Sequence, residues 1–248
     1  MRQVPNLAFS FPVDGVIWKT VLDQESGKLA MEIRDQDQLT TSFVVVDIPN
    51  KSIGTPFQVE EADWWSSLQV IFKDYLFIEK YQDPQNPLDK SLIIADGQNG
   101  QIIQHYTGHQ LVEIREGKVI YQQVQNPSEF SEFVLPGISK AAGDHKFIEP
   151  VVYVEGSDNF DVVQTYLSHE KIVSLVDYAE SGEYIFISYL ISHEKSYIRK
   201  LLVLKGDEEV YQTVLDKNVE GISPGAFFVF NNYLIFIVER KEINAIAL

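Results

Sequence analysis

The chain has 248 residues, 45% of them hydrophobic and 23% charged, with 14 Gly and 10 Pro. It can bury a sizeable core, and this composition excludes disordered, collagen-like and coiled-coil classes. The absence of cysteine excludes disulfide frameworks, thiolate metal sites and cysteine nucleophiles, while a net charge of −16 argues against nucleic acid or an anionic membrane as partner.

The first eleven residues lack the apolar stretch and small-residue cleavage site of a secretory leader, and residues 7–11 read as a short strand. No run of 18 apolar residues occurs; the richest stretch, 226–238, is broken by Asn231-Asn232. A cytoplasmic location is expected.

Strand signals then recur in groups. Residues 16–22 and 28–33 form a tight pair, followed by a hairpin of 43–47 and 53–57. The same order returns with 66–72, 75–80, 92–96 and 101–106, and again with 111–114, 118–124, 151–155 and 162–166. A fourth group holds 172–178, 184–191, 201–205 and 210–215, and a fifth holds 226–230, 233–238 and 245–248. Within the long third-group insertion 125–149, Asn126 as N-cap, Pro127 and Glu129 predict a short helix over 128–134.

The third strands share one pattern, four mainly apolar residues closed by a charge: Phe43-Val44-Val45-Val46-Asp47, Leu92-Ile93-Ile94-Ala95-Asp96, Val151-Val152-Tyr153-Val154-Glu155 and Leu201-Leu202-Val203-Leu204-Lys205. The closing charges lie 49, 59 and 50 residues apart. The last group lacks a fourth strand and the first is preceded by an orphan strand, so the N-terminal strand is expected to pair as the outer strand of the last sheet, which would remove an exposed edge. Nearly continuous apolar runs such as 184–191 and 233–238 imply strands buried on both faces.

These repeats resemble a five-bladed β-propeller, and their third-and-fourth-strand hairpins are similar to those of quinoprotein-like propellers. The texture also resembles that of uncharacterised bacterial families of this length, a likeness that carries no activity to transfer. The resemblance implies an all-β single domain of four-stranded antiparallel blades at approximately 16–59, 64–107, 109–167, 171–215 and 222–248 plus 4–11, the N-terminal strand closing the last blade. A sandwich of two sheets is the alternative architecture.

In such a propeller one face carries short turns and the other the longer loops 60–65, 83–90 and 125–149, where recognition is expected. Aligning the innermost strands puts Asp14, Asp63, His109, Glu170 and Ser223 at one height, a polar ring that would take a small ligand, or Ca²⁺ through oxygen ligands. Channel mouths are also wet and accept polar residues without any ligand. Trp64 and Trp65, behind Glu60, Glu61 and Asp63, would point to opposite faces of an extended chain; one indole beside carboxylates suits sugar stacking, and tryptophan packed between blades is the bland counterpart.

Ser-His-Glu-Lys occurs twice, placing His169 and His193 beside Glu170 and Glu194, a combination that can ligate a divalent metal. Adjacent side chains on extended backbone point apart, so repetition in polar loops explains the pair equally. His105 and His109 bracket Thr107-Gly108 at a blade crossing. The Asp96-Gly97-Gln98-Asn99-Gly100 turn lacks the lysine and following helix of a phosphate loop, and Gly-x-Ser-x-Gly is absent.

No residue is assigned a catalytic role. The expected function is a noncatalytic binding or interaction scaffold for a protein or small ligand on the long-loop face, with Asp14, Asp63, Trp64, Trp65, His109, Glu170 and His193 as candidate ligand-binding residues. The rival is a carbohydrate-binding or glycoside-cleaving propeller using Asp14, Asp63, Glu170 and a tryptophan, since two opposed carboxylates are what glycoside hydrolysis requires.

Overall fold

The computed structural model describes residues 7–83, 85–115, 117–136, 145–167, 170–219 and 225–248. Strand β1 is Leu7–Pro12. Four antiparallel strands follow as the first sheet, β2 (Val16–Asp23), β3 (Lys28–Asp35), β4 (Thr40–Asp47) and β5 (Ser52–Ile53), and four more as the second, β6 (Ser66–Phe72), β7 (Tyr75–Tyr81), β8 (Lys90–Asp96) and β9 (Ile102–Thr107). The third sheet has three described strands, β10 (His109–Arg115), β11 (Lys118–Gln123) and β12 (Phe130–Val134). After β13 (Phe147–Ile148), β14 (Val151–Val154) and helix α1 (Asp158–Tyr166) come β15 (Ile172–Ser181), β16 (Tyr184–His193), β17 (Ser196–Lys205) and β18 (Glu208–Val219). The fourth sheet runs β14-β15-β16-β17-β18. Strands β19 (Phe227–Phe230), β20 (Tyr233–Val238) and β21 (Glu242–Ala247) build the fifth, in the order β1-β21-β20-β19-β13. The molecule is thus all-β with several antiparallel sheets, and no helix among the described residues is long and apolar enough to cross a membrane.

The chain divides into two compact units: one holds residues 13–145, the other holds 146–248 together with β1. In the 13–145 unit the third strands explain the sequence repeat. Asp47 ends β4 and its carboxylate accepts the Asn50 N–H at 2.9 Å; Asp96 ends β8 and accepts the Gln98 N–H at 2.7 Å. Each carboxylate thus closes the turn that follows its strand, Asp96 in an Asx turn and Asp47 by a bond one residue further on, which is why a carboxylate follows the apolar run. The first and second sheets bury Phe43, Leu68, Leu76 and Ile93 between them, and the second and third bury Phe77, Leu92, Val119 and Leu135.

In the 146–248 unit the fourth and fifth sheets bury Phe186, Leu201, Phe227 and Phe236, and α1 lays Phe160 and Val163 over Val176, Ile187 and Tyr189 of the fourth. Strand β1 pairs with β21 from Leu7↔Ile246 to Pro12↔Glu242, the pairing expected from the orphan strand. Ser10 Oγ–H donates to the Glu242 carboxylate across this ladder.

Three expectations are corrected. Residues 130–134 form a strand against β11, not a helix: Asn126-Pro127-Ser128-Glu129 is a turn closed by Glu129 N–H to Asn126 O at 3.1 Å, and the β11 ladder then satisfies the backbone. Residues 162–166 lie in helix α1 and not in a strand. Ser157 caps it through Oγ, which accepts the Phe160 N–H at 3.3 Å, and Asp158 and Asp161 favour its first turn. Residues 151–154 are an edge strand of the fourth sheet and not the third strand of the third, because their register partner is β15.

Candidate binding surface

The residues with the most unusual surroundings in the 13–145 unit belong to a tryptophan–arginine stack. The first strand of each of its sheets breaks register once, between Ile17 and Lys19, between Leu68 and Val70, and between Leu111 and Glu113, so Trp18, Gln69 and Val112 are bulge residues. A bulge re-aims its side chain, and Trp18 is left 46% exposed on an otherwise half-buried strand. The Arg34 guanidinium lies 4.4 Å from the Trp18 ring centroid and 5.1 Å from that of Trp64. A cation held against two indole faces stabilises both rings by roughly 0.5–2 kcal/mol each.

Arg34 is itself fixed from below. Its Nε donates to Glu32 Oε1 at 2.7 Å, and an Nη donates to the Ser66 carbonyl at 3.0 Å. Glu32 is fully buried, and its other oxygen accepts the Leu68 N–H at 2.8 Å. Leu68 lies on β6, an edge strand whose outward N–H groups need partners from elsewhere. The second sheet treats the third the same way: Glu79 Oε1 accepts the Leu111 N–H at 3.2 Å.

Asp63 closes the turn into β6, its carboxylate accepting the Trp65 N–H at 2.9 Å and pairing with Lys80 at 3.1 Å. Trp64 turns to the Arg34 stack and Trp65 stands 52% exposed. Asp14 is exposed beside Gly15, which has a φ of 112° and where a Cβ would sit 2.9 Å from the Arg34 carbonyl oxygen. His109 lies elsewhere in this unit, Nδ1 at 2.8 Å from the Thr107 carbonyl, edge-on to Tyr106 and Tyr121. Those two tyrosines stack at 4.3 Å, and burial, then the hydrogen bond with Tyr121, pushes the Tyr106 phenol up to about 12. His105 Nε2 is buried with no hydrogen-bond partner among the described residues.

Glu170 belongs to the 146–248 unit and is engaged there. It accepts from Tyr189 Oη at 2.8 Å and from Lys200 Nζ, while Gln212 Nε2 donates to Tyr189 Oη at 2.8 Å. Burial alone would raise the Glu170 carboxyl, but the Lys200 and Tyr189 bonds outweigh it and hold it below its ordinary range. His193 ends β16 exposed at a hairpin, its carbonyl accepting from Ser196 Oγ at 3.2 Å. Ser223, Ser168 and His169 lie outside the described residues. Among the described residues no cluster of three or more His, Asp or Glu is placed to hold a metal ion.

The structure therefore brings Trp18 and Trp64 together on Arg34, while Asp63 holds the Trp65 N–H in the turn that leads into β6. Sequence reasoning missed Trp18 and Arg34, because a bulge and a cation–ring contact are relations between strands. The same unit also has a cleft of about 290 Å³ whose walls include the ion-paired Lys28 and Asp74, Asp47, Ser52 and Gln98.

A family model described as a domain of unknown function, DUF4905, matches residues 22–103, less than half of the chain. None of the curated proteins matches. Among solved structures, a member of the DUF4221 family from Bacteroides vulgatus is 11% identical with a TM-score of 0.39, covering 100% of this chain and 98% of that one. BamB from Moraxella catarrhalis is 9% identical with a TM-score of 0.37, covering 98% of this chain and 88% of that one.

Proposed function

We propose that the protein is a noncatalytic binding module of propeller type, its five antiparallel sheets serving as blades, and that it takes its ligand on the surface bearing Trp18, Trp64 and Trp65. The half-exposed Trp18 carries this reading: a large apolar ring is turned toward water by a bulge whose neighbours Ile17 and Lys19 are laddered, with Arg34 held against the ring. Exposed aromatics on rigid backbone bind at low entropic cost. Arg34 is paired with Glu32 and Lys80 with Asp63, which favours an uncharged ligand beside them.

A second reading makes that ligand a carbohydrate. The half-exposed indoles of Trp18 and Trp65 favour it, since such rings stack on sugar rings. Asp63 is committed to the turn and to Lys80, which favours sugar binding over glycoside cleavage.

The test is a titration of intrinsic tryptophan fluorescence and melting temperature with soluble cello-, xylo- and malto-oligosaccharides, and with Ca²⁺ against chelator. A saturable quench and a raised melting temperature, both lost in Trp18→Ala and Trp65→Ala, are expected. Turnover of any glycoside probe, or a ligand response unchanged in both variants, would overturn the proposal.

A further inference from the structure

A second apolar surface lies within the 146–248 unit, whereas Trp18, Trp64 and Trp65 belong to the 13–145 unit. Strand β14 is an edge of the fourth sheet, paired with β15 on one side. The Glu155 N–H donates to the Ser174 carbonyl at 2.7 Å, so by alternation residues 151, 153 and 155 face β15 and the backbone groups of Val152 face away. Among the described residues nothing meets the Val152 N–H or C=O. Other edges of the molecule are treated differently: Leu68 and Leu111 give their N–H groups to Glu32 and Glu79, and β19 is covered by β13.

Side chains reinforce the exposure. Val151 and Val154 are 56% and 58% exposed, on opposite faces of the strand, and Val162 of the adjoining helix is 57% exposed. Natural edges are blunted by lysine, proline or a bulge. β14 contains neither residue and its register is unbroken. Residues 147–166 include Glu149, Glu155, Asp158 and Asp161 and no Lys or Arg.

We propose that β14 is a docking edge for an extended basic peptide with β-branched residues between its lysines or arginines, which adds to the fourth sheet as a further strand. The backbone of Val152 supplies the hydrogen bonds, the valines supply apolar contact, and the four carboxylates select the charge. A second copy of the chain is the disfavoured occupant, since edge-to-edge pairing would set the same carboxylates against each other.

The experiment measures fluorescence anisotropy of a labelled Lys-Val-Lys-Ile-Lys-Val peptide with the full chain, beside its Glu-for-Lys counterpart. Saturable binding of the basic peptide, weakened by salt and roughly tenfold weaker in Val152→Pro, is expected, with slowed hydrogen exchange at β14. Because the Val152 N–H faces away from β15, proline there leaves the native ladder intact. Should that variant not fold, Val154→Lys keeps the backbone, places a cation at the edge and should weaken the basic peptide alone. Equal affinity for the acidic peptide, no binding of the basic one, or indifference to the substitutions would overturn the proposal. A dimer that forms without peptide and is lost in the variants would overturn it in favour of self-association.

Discussion

The buried Glu32 carboxylate meets the Leu68 N–H at 2.8 Å and so ties the second strand of one sheet to the edge strand of the next, with Arg34 charging the other oxygen. Removing that carboxylate leaves both the guanidinium and the amide without their acceptor. Glu32→Ala should cost about 3–5 kcal/mol, the range for breaking a buried charge pair. Glu32→Gln, which keeps one acceptor, should cost about 1–3 kcal/mol. Urea unfolding of the two variants checks the order; equal losses would mean the charge is irrelevant.

Gly100 and Gly108 share a positive φ, 77° and 73°, but differ in surroundings. A Cβ on Gly100 would sit 2.6 Å from the Gln58 carbonyl oxygen, whereas one on Gly108 would meet nothing within 4 Å. Gly108→Ala should cost only the left-handed backbone penalty of about 1–2 kcal/mol. Gly100→Ala should cost clearly more, read as a lower melting temperature than that of Gly108→Ala.

Glu170 supplies a pH signature. Its carboxyl is held below the ordinary value, so the Lys200 and Tyr189 interactions contribute stability above the unfolded carboxylate pKa, and that contribution is lost as pH falls through the lower folded value. Wild type should therefore exceed Glu170→Gln in stability at neutral pH, and the gap should close on acidification. A gap that persists unchanged in acid would show that charge does not underlie it.

The three tryptophans should separate in thermal melts. Trp65, 52% exposed, should tolerate alanine within about 0.5 kcal/mol, as exposed sites do. Trp18→Ala and Trp64→Ala each remove a ring from Arg34 and should cost about 1 kcal/mol or more. Losses of equal size at all three positions would contradict the stack.

The hairpins of the first two sheets were legible because Asp47 and Asp96 close their third strands with carboxylates that the turn uses directly. The third group misled for the same reason in reverse. The run 151–154 has the apolar texture of a third strand, but texture does not name a partner, and β15 rather than β11 took it up. Helix α1 was hidden by Val162, Val163 and Tyr166, strand-formers that fold helically because Ser157 caps them and Phe160 and Val163 find a sheet to cover. At the binding surface Trp64, Trp65 and Asp63 were visible as neighbours in sequence. Trp18 and Arg34 were not, since their roles arise from a register break and from a contact between residues 30 positions apart, Arg34 with Trp64.

The β1–β21 ladder joins segments far apart in the order of synthesis, with Ser10 and Glu242 bonded across 232 positions. The 13–145 unit is continuous and can fold while the rest is still being made. The fifth sheet can complete only after β21 has emerged, so β1 must wait unpaired while the residues between them are made, and closure of this ladder is expected among the slow steps of folding.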